Sequence, residues 1–204
     1  MASSASLSSA RHVLLTGLPG SGKTTLIQKT CEELEKQGYV LHGFITEEVR
    51  HFGRRKGFDV VSIDGQLRAP LARIDGHGHD SEAGPLNRPD PYRLGQYIVQ
   101  VESFEQTALP LLHASNTGIT VIDEIGKMES ISRAFQQAVR SRMDDPRSVV
   151  LGTIPVKKGK PVHLIEQIYE RKDVRIITVT KKNRDCLLDE IITAVKEATA
   201  EHIP

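Results

Sequence analysis

Two adjacent carboxylates, Asp123 and Glu124, end an apolar run in the stretch VIDEIGKME at residues 121–129. Such a pair can anchor a divalent cation through one carboxylate and orient or deprotonate a water molecule with the other. It can equally be the polar end of a strand that runs out into solvent. A second motif is needed to decide between these two interpretations.

That second motif is the stretch GLPGSGKTT, which matches the pattern G-x-x-x-x-G-K-[ST] at every required position. The pattern needs glycine at Gly17, Gly20 and Gly22, because consecutive backbone N–H groups must curl around phosphate oxygens. A helix predicted to start in this loop adds its positive N-terminal end. The residues predicted to bind nucleotide here are Gly17, Leu18, Pro19, Gly20, Ser21, Gly22, Lys23, Thr24 and Thr25.

A phosphate loop gives each nearby polar side chain an expected role. Lys23 should reach the β and γ phosphates, and the hydroxyl of Thr24 should bind Mg²⁺. Asp123 then becomes the metal-side acid, because proteins with this loop hold the same magnesium through an acid at the end of another core strand. Glu124 is placed to orient or deprotonate a water in line with the γ phosphate, which is what hydrolysis requires.

Two further strand ends carry polar side chains that could reach a nucleotide, because ligands of open α/β sheets bind beyond the carboxyl ends of the strands. Thr153, in GTIP, could form a hydrogen bond near the γ phosphate or the attacking water. Asn183 and Arg184, in TKKNRD, could contact the edge or the face of a nucleobase. Thr153, Asn183 and Arg184 could instead belong to segments that cap the following helices. The order N-K-x-D is not present, so weak base selectivity is expected.

The elements that would position these residues alternate between strand and helix. Continuous apolar strands alternating with helices predict a parallel sheet covered by helices on both faces. The predicted strands are 12–17, 40–49, 56–64, 97–101, 118–124, 148–154 and 174–180, and the predicted helices are 23–38, 102–115, 130–143, 161–171 and 182–200.

The second and third predicted strands should form a β-hairpin beside the main sheet, with the basic stretch RHFGRR as its loop. Residues 75–91 are rich in Gly, Pro, His and Asp without periodicity, which predicts a long loop. The first ten residues, rich in Ser and Ala, predict a disordered tail. Residues 11–204 are therefore expected to form a single domain.

Composition limits the classes of partner. The chain has 204 residues with 27 Lys and Arg against 26 Asp and Glu, so its formal net charge of +1 does not favour nucleic acid or an anionic membrane. No apolar stretch approaches the roughly 18 residues of a membrane span. Cys31 and Cys186 lack zinc-ligand spacing and are expected to be buried small hydrophobes. We expect a soluble cytoplasmic monomer, with organellar targeting by the N-terminal tail as an alternative.

Six motifs in this order resemble a small family of nucleoside-triphosphatases from thermophilic prokaryotes and animals: GLPGSGKTT, GFITEEVR, GRRKGFDVV, VIDEIGKME, LGTIP and VTKKNRD. The resemblance covers residues 11 to about 195, and only the N-terminal extension and residues 75–91 depart from it. It implies a P-loop NTPase three-layer sandwich, with a mostly parallel sheet and a β-hairpin insertion. It also implies Mg²⁺-dependent hydrolysis of ATP, GTP and other nucleoside triphosphates. In this resemblance Lys23 and Thr24 bind the phosphate and the metal, and Glu124 is the catalytic base.

Two other functions stay open at this point. A kinase for a nucleoside, a nucleotide or a nucleic-acid end could use the arginines of RHFGRRK and NRPDPYRLG to hold an acceptor. A regulatory switch would bind nucleotide and turn it over only when a partner supplies an arginine. The sequence does not identify the physiological substrate, the acceptor or the cation that stabilises the transition state.

Overall fold

One mixed β-sheet runs through the part of the chain that the structure, a computed structural model, describes. That part comprises residues 10–74, 92–113, 118–159 and 161–202. The loop predicted at 75–91 and all but the last residue of the predicted N-terminal tail lie outside it. The nine strands are β1 His12–Gly17, β2 Leu41–His51, β3 Arg54–Ser62, β4 Arg68–Ile74, β5 Arg93–Leu94, β6 Tyr97–Val99, β7 Ile119–Asp123, β8 Val149–Pro155 and β9 Val174–Thr178.

Five described α-helices cover this sheet, and two short 3₁₀ turns accompany them. The strand order is β5-β6-β4-β3-β2-β7-β8-β1-β9. The helices are α1 Lys23–Lys36, α2 Val101–His113, α3 Arg133–Asp144, α4 His163–Glu170 and α5 Leu188–His202, and the 3₁₀ turns are Glu129–Ile131 and Arg184–Cys186.

The half of the sheet formed by β2, β7, β8, β1 and β9 is parallel. Every residue of β1 and of β7 is buried, which explains their continuous apolar sequences. Helices α1 and α5 pack on one face, where Ile27 and Ile191 are fully buried. Helices α2, α3 and α4 pack on the other, around Phe104 and Phe135. The predicted three-layer arrangement is confirmed.

The other half of the sheet is antiparallel and larger than predicted. The hairpin of β2 and β3 is continuous with the parallel strands, and β4, β6 and β5 extend it. The predicted loop RHFGRR is wrong, because both strands continue into it and leave only Phe52 and Gly53 at the turn. Arg50 and Arg55 lie on these strands and form ion pairs with Glu48, at 2.8 and 2.7 Å.

The last helix differs from its prediction. It begins at Leu188 rather than near 182, because the residues after β9 form a turn that ends in the second 3₁₀ segment. Cys31 is buried as expected, but Cys186 in that 3₁₀ segment is exposed. None of the helices in the described ranges combines the length and apolar character that a membrane crossing requires.

Candidate active site

The phosphate loop connects β1 to α1 at the carboxyl edge of the parallel strands, in the position that the sequence predicts. A β-carbon at Gly17 would lie 2.3 Å from the carbonyl oxygen of Val179, so only glycine fits there. Gly22 precedes α1 with a φ of 106°, in the left-handed region that favours glycine. Between these two glycines, residues 18–20 are exposed, Leu18 to 63%, whereas Ser21 is buried.

The start of α1 has the features of an anion site. No side chain caps this helix end and its first turn contains no acidic residue, so its free backbone N–H groups can bind an anion. The Nζ of Lys23 donates a 3.1 Å hydrogen bond to the carbonyl of Gly17, which keeps the ammonium across the loop. The buried hydroxyl of Ser21 has no hydrogen-bond partner among the described residues. Backbone N–H groups and a positive charge thus meet at the start of α1.

Asp123 ends β7 next to this loop and is 1% exposed. Its Oδ1 accepts a 2.5 Å hydrogen bond from the Thr153 hydroxyl, whereas its buried Oδ2 has no partner in the described part of the chain. Burial raises the pKa of Asp123, and the Thr153 hydroxyl, the nearby Thr24 hydroxyl and the charge of Lys23 oppose that rise. The acid therefore lies beside the two side chains predicted to serve phosphate and metal, and it keeps one oxygen available.

Glu124 follows Asp123 and is partly buried at the same edge. Burial raises the pKa of its carboxyl, the charge of Lys23 lowers it, and the charge of Asp123 raises it further. These three side chains are thus close enough to act on one another. A carboxylate with a raised pKa beside a phosphate site is suited to accept a proton from water.

Glu129 is a third acid at this edge, and the sequence reasoning missed it. It begins the first 3₁₀ segment and is 4% exposed. Burial and then the charge of Glu124 raise the pKa of its carboxyl to about 8, although backbone N–H groups of Glu129 itself and of Gly126 donate hydrogen bonds to it. A glycine between two acids in EIGKME was the available signal, because a side chain there would separate them.

The two residues after β9 that were predicted to contact a nucleobase, Asn183 and Arg184, differ in where their side chains lie. The side chain of Asn183 accepts a hydrogen bond from the Thr180 backbone N–H at 2.7 Å and donates one to the Thr178 carbonyl at 2.9 Å. Its polar atoms therefore stabilise the turn after β9, and they do not cap the 3₁₀ segment that follows. Arg184 packs over the phosphate loop, with its Cδ 3.3 Å from where a β-carbon of Gly22 would lie. Of the two, Arg184 is the one whose side chain lies beside the phosphate loop.

A cationic cavity of about 190 Å³ opens beside the same edge and was not predicted. Lys127, Lys157 and Lys158 are among the residues that line it, together with Pro155 at the end of β8. Pro155 lies opposite Gly17 in the pairing of β8 with β1, which places the cavity next to the phosphate loop. Three lysines here can attract an anionic group.

The oxygen donors at the site suit Mg²⁺ better than a transition metal. Asp123 offers one unpartnered carboxylate oxygen, and Thr24 offers a hydroxyl close to it. Among the described residues no group of three or more His, Cys, Asp or Glu side chains could enclose a metal ion. Mg²⁺ fits such a site because it keeps several waters and takes one or two protein ligands together with substrate phosphates.

Comparisons with known proteins show which family and fold the chain resembles. A family model described as NTPase matches residues 12–192. The cancer-related nucleoside-triphosphatase homolog of Bos taurus is 53% identical over 195 residues, which cover 93% of this chain and 98% of the relative.

Two solved structures have the same fold as this chain. The solution structure of a human cancer-related nucleoside triphosphatase superposes with a TM-score of 0.77 at 48% identity, covering 92% of this chain and 98% of that one. The crystal structure of THEP1 from the hyperthermophile Aquifex aeolicus gives a TM-score of 0.73 at 32% identity, covering 91% and 99%. The resemblance inferred from the sequence motifs is confirmed.

Proposed function

The chain belongs to the NTPase family, and from this we propose that it hydrolyses nucleoside triphosphates, ATP and GTP among them, to the diphosphate and phosphate. The observation that carries this proposal is the meeting of the phosphate loop with Asp123 and Glu124 at one edge of the sheet. Relatives with the same architecture bear the name nucleoside-triphosphatase, which supports the same reaction class.

The phosphate loop would bind the triphosphate through its backbone N–H groups and the start of α1. Lys23 would exchange its hydrogen bond to Gly17 for the β and γ phosphates and neutralise charge that builds up during transfer. Arg184, packed over Gly22, would lie along the nucleotide and could stack on its base. Stacking tolerates every base, so broad base use is expected.

Mg²⁺ would be held by Thr24 and by the free oxygen of Asp123, and when bound it would draw negative charge away from the phosphates. The short hydrogen bond from Thr153 would keep the Asp123 carboxylate in one orientation. Thr153 would therefore act on the metal side of the site through Asp123.

Glu124 would supply the base. Its carboxylate would accept a proton from a water that attacks the γ phosphate, or would orient that water. Burial raises the pKa of this carboxyl, which makes its ionised form a better proton acceptor. The bond from the γ phosphorus to the bridging oxygen breaks as the bond to the water oxygen forms, and the diphosphate leaves.

We also propose that residues 11–204 form one domain that acts as a monomer, without nucleic acid or a membrane surface as its partner. The single sheet and the formal net charge of +1 support this proposal. The kinase alternative loses support because Arg50 and Arg55 of the basic stretch are ion-paired with Glu48. The regulatory alternative has no observation that favours it, and the cytoplasmic location stays a prediction.

A phosphate-release panel tests the proposal. Release would be measured from ATP, GTP, CTP and UTP, with Mg²⁺ or with EDTA, and with or without nucleosides and oligonucleotides as trial acceptors. Hydrolysis predicts phosphate release from all four nucleotides, loss of release in EDTA, and no stimulation by acceptors. Label transfer from the γ position to an acceptor, at a rate above phosphate release, would replace hydrolysis by the kinase reaction.

A further inference from the structure

The cationic cavity beside the carboxyl edge is built from two loops and the start of a helix. Lys127 comes from the loop after β7, Lys157 and Lys158 come from the loop after β8, and Ile165 and Glu166 come from the first turn of α4. The cavity has a volume of about 190 Å³. A water molecule takes about 30 Å³ in the liquid, so the cavity can hold an anion of the size of phosphate together with some of its water.

The three lysines of this cavity are not neutralised by carboxylates. The Nζ of Lys127 donates a long hydrogen bond of 3.4 Å to the carbonyl of Lys158, and the Nζ of Lys157 lies 4.6 Å from the centre of the Tyr169 ring. None of the three forms a salt bridge within the described part of the chain. Glu166 is the acid among the described lining residues, so the cavity has an excess of positive charge that attracts anions.

Hydrogen bonds connect the wall of the cavity to the start of the phosphate loop. The Tyr169 hydroxyl donates a 3.1 Å hydrogen bond to the carbonyl of Pro155 and lies 2.9 Å from the hydroxyl of Thr16. Thr16 precedes Gly17, the first residue of the phosphate loop, and Gly17 is the partner of Pro155 in the pairing of β1 with β8. Because paired strands lie about 4.8 Å apart, the wall at Pro155 is one strand spacing away from the phosphate loop.

We propose that the cationic cavity is a second oxyanion site, which receives the inorganic phosphate that hydrolysis releases from the nucleotide. Lys127 follows Glu124 in the loop after β7, and Lys157 follows Pro155 in the loop after β8, so the cations of the cavity belong to segments that border the reaction site. Ammonium groups bind phosphate oxygens through charge-assisted hydrogen bonds. The released phosphate would pass from Lys23 to these lysines. The proposal rests on the hydrolysis proposed above.

A phosphate titration tests the site without turnover. The protein would be saturated with Mg²⁺ and the non-hydrolysable analogue AMP-PNP, which fills the phosphate loop, and inorganic phosphate would be titrated in a calorimeter. One phosphate should bind per chain of the wild type. Lys127→Gln/Lys157→Gln removes two charges but keeps long polar side chains, so the Kd for phosphate should rise at least about tenfold.

Lys29→Gln/Lys172→Gln is the matched control for this titration. Both lysines are exposed and lie outside the cavity, and the change in net charge is the same. The Kd for phosphate should therefore stay within about twofold of the wild type, since isolated surface charges contribute little. Equal weakening in the two double variants would indicate a general effect of net charge and would overturn the proposal. Absence of phosphate binding to the wild type would also overturn it.

Product inhibition tests whether the cavity belongs to the path of the released phosphate. Added phosphate should slow ATP hydrolysis by the wild type even at saturating ATP, because it occupies the cavity and not the phosphate loop. The inhibition constant should rise at least about fivefold in Lys127→Gln/Lys157→Gln and stay unchanged in the control. Inhibition that excess ATP relieves equally in all three proteins would place the phosphate in the phosphate loop and overturn the proposal.

The two measurements separate failure of this proposal from failure of the proposed function. A wild type that hydrolyses ATP but binds no phosphate in the presence of AMP-PNP would contradict the cavity site alone. A wild type that binds phosphate in the cavity but hydrolyses no nucleotide would contradict the proposed function. In that second case the cavity would still be an oxyanion site, and its assignment to the reaction product would be wrong.

Discussion

The two edges of the parallel strands differ in whether their charged side chains form salt bridges. At the carboxyl edge, Asp123 and Glu129 are buried and take part in no salt bridge among the described residues. At the amino edge, the charged side chains of Arg11, Arg171 and Asp173 are only partly buried and form salt bridges with one another. His12, at the start of β1, is completely buried and lies at that edge.

Hydrogen bonds and salt bridges connect the polar groups at the amino edge. One nitrogen of the His12 ring lies 3.1 Å from the carbonyl oxygen of Met143, and the other accepts a 3.1 Å hydrogen bond from the backbone N–H of Val150. Asp173 nearby forms salt bridges with Arg11 at 2.8 Å and Arg171 at 2.9 Å. Burial would raise the pKa of Asp173, but these partners outweigh it and lower the pKa to about 2.

The difference separates groups kept for stability from groups kept for chemistry. Paired and hydrogen-bonded charges favour the folded state, whereas buried acids without cations cost stability and persist where a reaction needs them. Lys23 is the cation that acts on Asp123 and Glu124, and it donates its hydrogen bond to the loop carbonyl of Gly17. Substitutions at the two edges should therefore change different properties of the protein.

Lys23→Ala should give the largest change at the carboxyl edge. The γ phosphate loses its compensating charge in both the ground state and the transition state, so binding and turnover should fall together. We expect kcat/KM to fall by about a thousandfold or more, roughly 4 kcal/mol of barrier, as measured by phosphate release. Lys36→Ala, at the exposed far end of the same helix, is the control, and a Lys23 variant that matches it would refute the phosphate-loop assignment.

Glu124→Gln should separate chemistry from binding. The variant keeps the shape of the side chain but loses the charge that draws the proton from water, so kcat should fall by at least about a hundredfold with little change in KM. Its nucleotide-free form should be no less stable than the wild type, because burial disfavours the lost charge. Hydrolysis within about threefold of the wild type would mean that the water is activated elsewhere.

Asp123→Asn should show how much stability the protein loses by burying an acid proposed to bind the metal. The Mg²⁺ concentration for half-maximal activity should rise about tenfold or more, while metal-free nucleotide binding stays nearly constant. Chemical denaturation of the nucleotide-free variant should show a free energy of unfolding higher by on the order of 1 kcal/mol, since a poorly compensated buried charge is gone. A lower stability with unchanged Mg²⁺ dependence would place Asp123 among structural residues, as at the amino edge.

His12→Asn should have the smallest effect on activity and should act on stability in a pH-dependent way. Burial lowers the pKa of His12 from 6.5 to about 4, so its contribution to stability is present above pH 6.5 and is lost as the pH falls towards 4. The stability gap between wild type and variant should therefore narrow by up to about 3 kcal/mol over that range. Denaturation curves at several pH values measure it, and a gap that stays constant would contradict the assignment.

The parts of the fold that local sequence decides were predictable. The phosphate loop is defined within a few residues by Gly17, Gly22 and Lys23. The buried strands β1 and β7 are recognisable in the sequence as mainly apolar stretches. Strand β4 was missed because Arg68, Pro70 and Arg73 interrupt any alternation, and its pairing with β3 depends on residues elsewhere in the chain. Propensity alone could not find it.

The candidate site, too, contains residues that the sequence identifies and residues that only the fold reveals. Asp123 and Glu124 were predictable because they end an apolar strand, which is visible in the sequence. Glu129 was not, because the stretch KMES has the composition of an exposed helix start, and only its packing against Gly126 shows that the acid is buried. The roles of Thr153 and Asn183 likewise depended on side-chain partners that spacing does not reveal.

The position of β1 in the sheet has a consequence for how the protein is made. This strand is formed by residues 12–17, but its described partners are β8 and β9, which are more than 130 residues further along the chain. Pairing of distant segments is slow, because loop-closure entropy must be overcome before the contacts form. A chain leaving the ribosome would thus expose its phosphate loop early but could not seat it in the sheet until β9 had emerged. Chains that end before β9 should therefore fail to bind nucleotide.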